Sequence, residues 1–209
     1  MKVVAIQGSP RKNGNTFFAL TVIKNILVEE GIDFEIIDIG GKHIRGCTAC
    51  EKCYENRDGK CAVTNDAVND TVAKMKTADG IIIASPVYYS GIAGTMKCFL
   101  DRAFYVAEVN GGWFRHKVGA SVVAVRRTGG SMTFNSLNHY LGIAEMLIPA
   151  SNYWNVIHGL LPGDAAKDKE GIQIMQMLAK NMAWLLKMRE RTKNMEPKQS
   201  EKIFTNFIR

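Results

Sequence analysis

The sequence contains no long apolar run. Its hydrophobic residues never approach the roughly 20 consecutive positions that a helix needs to cross a bilayer. The first residues also lack the basic and apolar regions of a signal peptide. The first absence argues against a membrane protein and the second against an exported one. We therefore expect a cytoplasmic protein without a membrane partner.

Several familiar signatures are also missing. Neither the Gly-x-Ser-x-Gly of serine hydrolases nor the His-Glu-x-x-His of zinc proteases occurs. A P-loop is excluded because its Lys-Ser/Thr pair is absent, and Gly8 and Gly14 are too far apart for the dinucleotide signature Gly-x-Gly-x-x-Gly. Hydrolase chemistry therefore has no support, and no dedicated motif for a nicotinamide nucleotide is present.

Charge of one sign is in modest excess. The 27 Lys and Arg against 20 Asp and Glu leave a net charge of +7, which suits phosphorylated ligands or acidic redox partners. The basic residues are scattered, except for a cluster from Lys187 to Lys193 near the end of a predicted helix. We expect no nucleic-acid partner. Residues 194–209, beyond this helix, are predicted to form a tail or arm.

The rest of the chain, residues 1–193, alternates regularly between strand and helix patterns. Short apolar runs such as 3–6 and 81–84 are typical of strands covered on both faces. Five alternations in a chain of 209 residues predict a single α/β domain. We expect a five-stranded parallel sheet with helices on both faces.

The loop after the first strand is a candidate phosphate site. It lies between the apolar run 3–6 and a helix predicted over 17–30. Free backbone N–H groups at a helix start, with hydroxyl, amide and guanidinium side chains, can surround a phosphate. The candidate residues are Ser9, Arg11, Asn13, Asn15 and Thr16. By itself, this pattern also fits an ordinary capped turn.

Two further loops follow predicted strands and carry ligand-type residues. One holds Pro86, Val87, Tyr88, Tyr89, Ser90 and Gly91, and the other holds Arg126, Arg127, Gly129 and Gly130. Aromatic rings beside a glycine form a slot for a flat ligand, and arginines suit anionic groups. Because ligands lie beyond the carboxyl ends of parallel strands, we expect all three loops to form one cofactor pocket.

Two signatures resemble those of a known family. They are the Gly-Ser-Pro-Arg and Gly-Asn-Thr of residues 8–16, and Ser85-Pro86-Val87-Tyr88 followed by Gly91, Gly94, Lys97 and Phe99-Leu100-Asp101-Arg102. They resemble the flavodoxin-like NAD(P)H-dependent FMN reductases and iron-sulfur flavoproteins. The resemblance implies the sheet order 2-1-3-4-5 and an FMN whose phosphate lies at 9–16 and whose ring lies beside 86–91. It further implies redox chemistry at the flavin without a catalytic side chain, and a homodimer or homotetramer.

Four of the five cysteines fall within fifteen residues, in a predicted loop over 40–64. They are Cys47, Cys50, Cys53 and Cys61. In a cytosolic chain such clustering indicates a metal or redox site rather than a disulfide framework. The spacing leaves an iron–sulfur cluster, structural zinc and free or disulfide-bonded thiols open. The resemblance to iron-sulfur flavoproteins implies one [4Fe-4S] cluster beside FMN. Cys98 is predicted to be a buried small hydrophobe.

The patterns, together with what the family resemblance implies, leave three functions to consider. The leading one is an FMN-dependent redox protein that exchanges electrons or hydride with ferredoxin, NAD(P)H or quinone-type molecules. The second is an NAD(P)H-dependent reductase of quinones, azo dyes or free FMN whose cysteines hold no cluster. The third is a non-catalytic, redox-responsive binding module that contacts its partner through the basic C-terminal arm.

Overall fold

The structure is a computed structural model, which describes residues 1–200, 202–205 and 207. Its strands are β1 (Lys2–Gln7), β2 (Asp33–Asp38), β3 (Gly80–Tyr88), β4 (Gly91–Ile92), β5 (Val118–Val125) and β6 (Val156–His158). Its α-helices are α1 (Asn15–Glu29), α2 (Lys52–Asn56), α3 (Val68–Thr77), α4 (Gly94–Val109), α5 (Gly130–Ile143) and α6 (Lys169–Thr192). Two short 3-10 helices span Asp164–Lys167 and Lys193–Met195.

Five of the strands form the predicted parallel sheet. Their order in space is β2-β1-β3-β5-β6, which is the expected 2-1-3-4-5 order once the short β4 is set aside. The sequence analysis missed β4, which pairs antiparallel with the end of β3. The order of the strands reverses between β1 and β3, and a crevice opens at their carboxyl ends.

Helices cover both faces of the sheet. Consecutive residues of a strand point to opposite faces, so the apolar run of β1 is shared between two cores. Val4 and Ile6 pack in the core with α3, α4 and α5, while Val3 and Ala5 pack with α1 and α6. This arrangement explains why the strand carries no alternating polar residues.

Some predicted boundaries differ from the structure. The last strand, predicted over 151–157, is reduced to the three residues of β6, and the side chain of Asn155 instead donates to the carbonyl of Ser121 at 3.0 Å. The loop predicted over 85–91 lies largely in β3, because Val87 and Tyr88 pair with β4. The cysteine loop 40–64 contains the short helix α2.

Beyond α6 the chain runs back along the protein. The carbonyl of Pro197 accepts a hydrogen bond from Arg115 Nη1 at 3.0 Å, and Lys202 Nζ lies 3.4 Å from the carboxylate of Glu108. The predicted arm 194–209 also includes residues 201, 206, 208 and 209, which lie outside the described residues. Across the described ranges, none of the helices combines the length and apolar character needed to span a membrane.

Candidate functional site

The carboxyl ends of β1, β3, β5 and β6 enclose one cleft, and it brings together residues from all three predicted loops. Its lining residues are Ser9, Arg11, Asn15, Thr16, Pro86, Val87, Tyr88, Ala124, Arg126, Gly159 and Leu160. Most of these are residues that the sequence predicts. The topology therefore places the predicted phosphate loop opposite the predicted ring-binding loop.

Helix α1 begins in this cleft with its N-terminus open. Among the described residues, no side chain caps α1, and its first turn carries no acidic residue. Ser9 and Thr16 are buried beside this helix start, and Ser9 Oγ accepts a hydrogen bond from the backbone N–H of Arg11 at 3.2 Å. Unpaired N–H groups and the positive end of the helix dipole favour an anion here.

Hydrogen bonds and a close backbone contact fix the predicted phosphate loop against the neighbouring strands. Gly8 donates its N–H to the carbonyl of Ala84 at 2.8 Å, and the Gln7 side-chain oxygen accepts the N–H of Ser9. A Cβ atom at Gly40 would lie 2.2 Å from the carbonyl carbon and oxygen of Ser9, so only glycine fits there. Nε2 of Gln7 is buried without a hydrogen-bond partner within the described part of the chain. An orphaned donor beside this loop fits a site that a bound anion completes.

The sequence analysis missed the segment that follows β6. A Cβ atom at Gly159 would lie 2.5 Å from the Asn15 side chain, and Arg11 donates to the carbonyl of Leu160 at 3.0 Å. The side-chain oxygen of Asn15 accepts the N–H of Ala165 at 3.2 Å. Arg11 and Asn15 therefore tie the phosphate loop to this segment. The one signal in the sequence is Gly159, two residues beyond the last predicted strand.

The turn between β3 and β4 is strained. Tyr89 and Ser90 have φ angles of +48° and +59°, in a two-residue turn that normally favours Asn-Gly. The Tyr89 side chain is fully exposed, while Tyr88 is about half exposed at the cleft. Strained backbone is often found at ligand-binding sites.

The loop after β5 divides between two clefts. Arg126 lines the cleft described above, whereas Arg127, Gly129 and Gly130 line a neighbouring cleft of about 570 Å³. β5 ends at Val125 and the chain bends over residues 126–128, so the two arginines lie in an irregular turn and line different clefts. A Cβ atom at Gly129 would lie 2.8 Å from Ser90, so this loop touches the β3–β4 turn. Of the other predicted residues in the described chain, Asn13, Tyr89, Ser90 and Gly91 do not line the first cleft.

The cysteine loop has little regular structure. Cys47 and Cys50 are exposed, Cys53 is buried on α2 and Cys61 is partly buried, all as free thiols. Throughout the described ranges, no three or more Cys, His, Asp or Glu side chains are grouped as a metal site. Burial, followed by the neighbouring Cys61 and Cys47, raises the pKa of the Cys53 thiol. The backbone N–H of Lys52 is the main cause that lowers the pKa of Cys50.

The fifth cysteine lies nearer to this loop than expected. Cys98 is only partly buried, and its sulfur lies 3.7 Å from where a Cβ atom at Gly46 would be. The prediction of a buried small hydrophobe is therefore only partly right.

The comparisons with known proteins agree with this geometry. The family model described as NADPH-dependent FMN reductase matches residues 1–160. The chain belongs to this family. An iron-sulfur flavoprotein of Methanocaldococcus jannaschii is 35% identical over 195 residues, which cover 90% of this chain and 98% of that protein. The protein is thus an FMN-binding oxidoreductase, as the sequence predicts.

Solved structures show the same fold. A crystal structure of RosB with the bound intermediate 8-demethyl-8-formylriboflavin-5'-phosphate has a TM-score of 0.71 at 14% identity, covering 100% of this chain and 92% of that one. An archaeal flavodoxin has a TM-score of 0.59 at 16% identity, covering 90% of this chain and 99% of its own. The predicted flavodoxin-like fold is confirmed.

Proposed function

We propose that this protein binds FMN in the cleft at the carboxyl ends of the strands and is of the iron-sulfur flavoprotein type. The observation that carries the proposal is the convergence of the open α1 N-terminus with residues at the carboxyl ends of β3 and β5 on one cleft. Bound FMN supplies a ring that accepts and releases electrons or hydride. The chain's own residues bind and orient that ring.

The phosphate end of FMN is assigned to the loop between β1 and α1. Ser9 and Thr16 are buried hydroxyl donors, and the backbone N–H groups of the first turn of α1 lie beside them. Arg11 and Asn15 line the same cleft, while their side chains also brace the segment after β6. Asn13 is exposed beside the loop and is proposed to contact the phosphate from outside.

The ring end of FMN is assigned to the loops after β3 and β5. Pro86, Val87 and Tyr88 offer an apolar wall, and Arg126 places a guanidinium at the same cleft. The remaining candidates, Tyr89, Ser90, Gly91, Arg127, Gly129 and Gly130, are proposed to border the ring from the rim. The contact of Gly129 with Ser90 supports this, because it brings the two loops to a common border.

We further propose that Cys47, Cys50, Cys53 and Cys61 hold a [4Fe-4S] cluster. Four thiols within fifteen residues form a sulfur-only donor set of the kind that binds such clusters, and the M. jannaschii relative is named an iron-sulfur flavoprotein. Cys53 belongs to one hydrophobic core and Cys61 packs against the same core, which supports a common site for these two thiols. The exposed Cys47 and Cys50 would have to move toward Cys53 and Cys61 when a cluster binds.

The finer biological setting is also a proposal. We propose residues 1–193 as the FMN-binding domain and 194–209 as an arm, in a cytoplasmic homodimer or homotetramer. The partners would be NAD(P)H, ferredoxin or quinone-type molecules, with neither nucleic acid nor membrane. The net charge of +7 supports acidic or phosphorylated redox partners.

One observation favours a second function, an NAD(P)H-dependent reductase without a cluster. Among the described residues the four thiols are not grouped around one point. In that case the four cysteines take no part in the reaction, and two-electron chemistry at FMN is sufficient for the reductase activity.

The test is an absorption spectrum of anaerobically purified protein, with FMN, iron, sulfide and zinc measured on the same sample. We expect flavin bands with about four irons and four sulfides per chain. Flavin without iron or sulfide would favour the second function. Failure to bind FMN after reconstitution would refute the proposed cleft assignment.

A further inference from the structure

Arg102 is a buried cation whose hydrogen-bonding capacity is fully used. It lies on α4 and is 1% exposed. Its Nε donates to Cys61 Sγ at 3.2 Å, Nη1 donates to the carbonyl of Arg45 at 3.2 Å, and Nη2 donates to the carbonyl of Val63 at 2.8 Å. Both Nη groups also bond to the carboxylate of Asp66. All five N–H donors of the guanidinium are therefore paired.

The partners of Arg102 lie on the two ends of the cysteine-bearing segment. Arg45 lies two residues before Cys47, the first of the four clustered cysteines. Cys61 is the last of the four, and Val63 and Asp66 lie just beyond it. One side chain of α4 thus ties both ends of this segment to the helix core.

Cys61 is held at a second point as well. Its N–H donates to Asn69 Oδ1 at 2.8 Å, and its carbonyl accepts from Asn69 Nδ2 at 3.0 Å. Both the backbone and the sulfur of Cys61 are therefore fixed, whereas Cys47 and Cys50 are exposed. The four cysteines are unequal: Cys53 is buried on α2, and Cys61 is anchored by hydrogen bonds from other elements to both its backbone and its sulfur.

We propose that Arg102 is a positioning residue: it orients the sulfur of Cys61 as the pre-set ligand of the iron–sulfur cluster and, through the Nε hydrogen bond, raises the reduction potential of that cluster. The inference rests on the cluster in the proposed function. Donors to ligand sulfur stabilise the reduced, more negative cluster, and such outer partners orient ligands and tune metal sites. A charge-assisted bond in a buried place is the strong form of this interaction.

A purely structural role would explain less. An Arg–Asp pair is satisfied by the two Nη groups alone, yet Nε is directed at sulfur. Buried ion pairs are also weak evidence for stability, since apolar pairs of similar size are often equally stable or better. The placement of Nε on Cys61 is what distinguishes the two roles.

The decisive variant replaces both members of the Arg102–Asp66 ion pair, so that no buried charge is left without a partner. Arg102→Met with Asp66→Leu removes the sulfur donor and keeps the net charge, and apolar replacement of a buried pair is usually tolerated. Asp66→Asn is the matched variant, because it retains the Nε donor to Cys61. Lys97→Gln is the control: Lys97 lies on the same helix, is about half exposed and pairs with Asp101.

The experiment measures the midpoint potential of the cluster in anaerobic holoprotein, by a redox titration followed by electron paramagnetic resonance, with iron, sulfide and FMN contents. We expect a lower potential in the double variant, no decrease in Asp66→Asn and a wild-type value in Lys97→Gln. Loss of iron from the double variant with FMN retained would equally support the positioning role. An intact cluster with an unchanged or higher potential in the double variant would overturn it.

The failure of this inference differs from that of the proposed function. If the wild-type protein holds no iron or sulfide, the cluster and this inference fall together. If wild type holds the cluster and only the predicted shift is missing, the inference alone is wrong. Should the double variant not fold, Arg102→Lys serves instead, because an ammonium group cannot reproduce the fork of five donors. We expect a smaller decrease in the potential, and an unchanged potential would contradict the inference.

Discussion

In the proposed flavin cleft the candidate binding residues lie at the ends of strands and at the start of a helix, whereas in the cysteine loop the candidate ligands are side chains on a largely irregular segment. The phosphate loop joins a buried strand to the open start of α1. The cysteine segment has three non-glycine residues with positive φ angles, Ala49, Glu51 and Arg57. The first region is shaped by the fold itself, while the second depends on a few polar contacts to α3 and α4.

This difference predicts how the two regions respond to damage. A site built from packed backbone is sensitive to steric change and tolerates the loss of one side chain. A site built from side-chain ligands loses its metal when one ligand is removed. Helix α4 connects the two, because it follows the β3–β4 hairpin, whose Tyr88 lines the first cleft, and it carries Arg102 to the cysteine loop.

The largest effect is expected from Cys53→Ser. Removing the buried thiol takes away one of four proposed ligands, so iron and sulfide should fall to near zero while FMN is retained. Iron, sulfide and flavin assays on anaerobically purified protein measure this, with Cys98→Ser as the control. A full complement of iron in Cys53→Ser would show that this thiol is not a ligand.

Gly40→Ala tests the other region, the loop between β1 and α1, by a steric change. The added methyl group would lie 2.2 Å from the backbone of Ser9, so we expect a loss of about 1–3 kcal/mol in the free energy of unfolding. A displaced phosphate loop should also weaken FMN binding about tenfold or more, as a loss of roughly 1.4 kcal/mol in binding free energy would. Urea denaturation and FMN titration of the deflavinated protein measure the two effects.

The matched control for that variant is Gly41→Ala. A Cβ atom at Gly41 would lie 3.9 Å from its nearest neighbour, the carbonyl oxygen of Pro10. We expect wild-type stability and affinity. Equal defects in both variants would mean that the contact of Gly40 with Ser9 is not what shapes the loop.

Within the cysteine loop, the thiols of the apoprotein should differ in reactivity. Cys50 is exposed and its pKa is lowered, whereas Cys53 is buried and its pKa is raised. Because the thiolate is the reactive form, iodoacetamide should modify Cys50 first and Cys53 only at higher pH. Mass spectrometry shows the order in which the two thiols are modified. The samples are labelled between about pH 7 and pH 9, a range that spans the ordinary pKa of a thiol. Simultaneous modification would contradict the described asymmetry.

The smallest effect concerns the strained turn between β3 and β4, next to the proposed flavin cleft. Replacing Tyr89 by Asn and Ser90 by Gly matches the residues that this turn favours. We expect the free energy of unfolding to rise by about 1–2 kcal/mol, since a left-handed conformation costs that much per ordinary residue. If Tyr89 borders the flavin ring, FMN binding weakens at the same time. A less stable double variant would show that the turn is not strained.

Much of the fold was predictable because local patterns report it directly. Unbroken apolar runs such as 3–6 identify strands buried on both faces, and their alternation with helices implies a parallel sheet. The short β4 escaped prediction because the Tyr89–Ser90 turn lacks the usual Asn-Gly. The position of Ser9 and Thr16 in the cleft was also predictable, since they lie at the junction of a strand and a helix; that they bind a phosphate stays a prediction.

Other parts of the site depend on distant contacts that leave no local pattern. The approach of Gly159 to Asn15 joins segments more than a hundred residues apart, and the separation of Arg126 from Arg127 follows from how β5 ends. In the sequence, Arg102 stands out only as the last residue of the Phe99-Leu100-Asp101-Arg102 signature. Its ion pair with Asp66 and its bond to Cys61 were not foreseeable from spacing along α4.

By itself, the amino-acid sequence determined the parallel α/β fold, the strand-to-helix junction over residues 8–16, the family and the presence of four clustered cysteines, because each is encoded by neighbouring residues. Only the tertiary structure decided which loop residues share a cleft and which cysteine is anchored. These depend on packing between elements far apart in the chain. The buried guanidinium of Arg102, with its five donors distributed between two ends of one segment, exists only once the helices have packed.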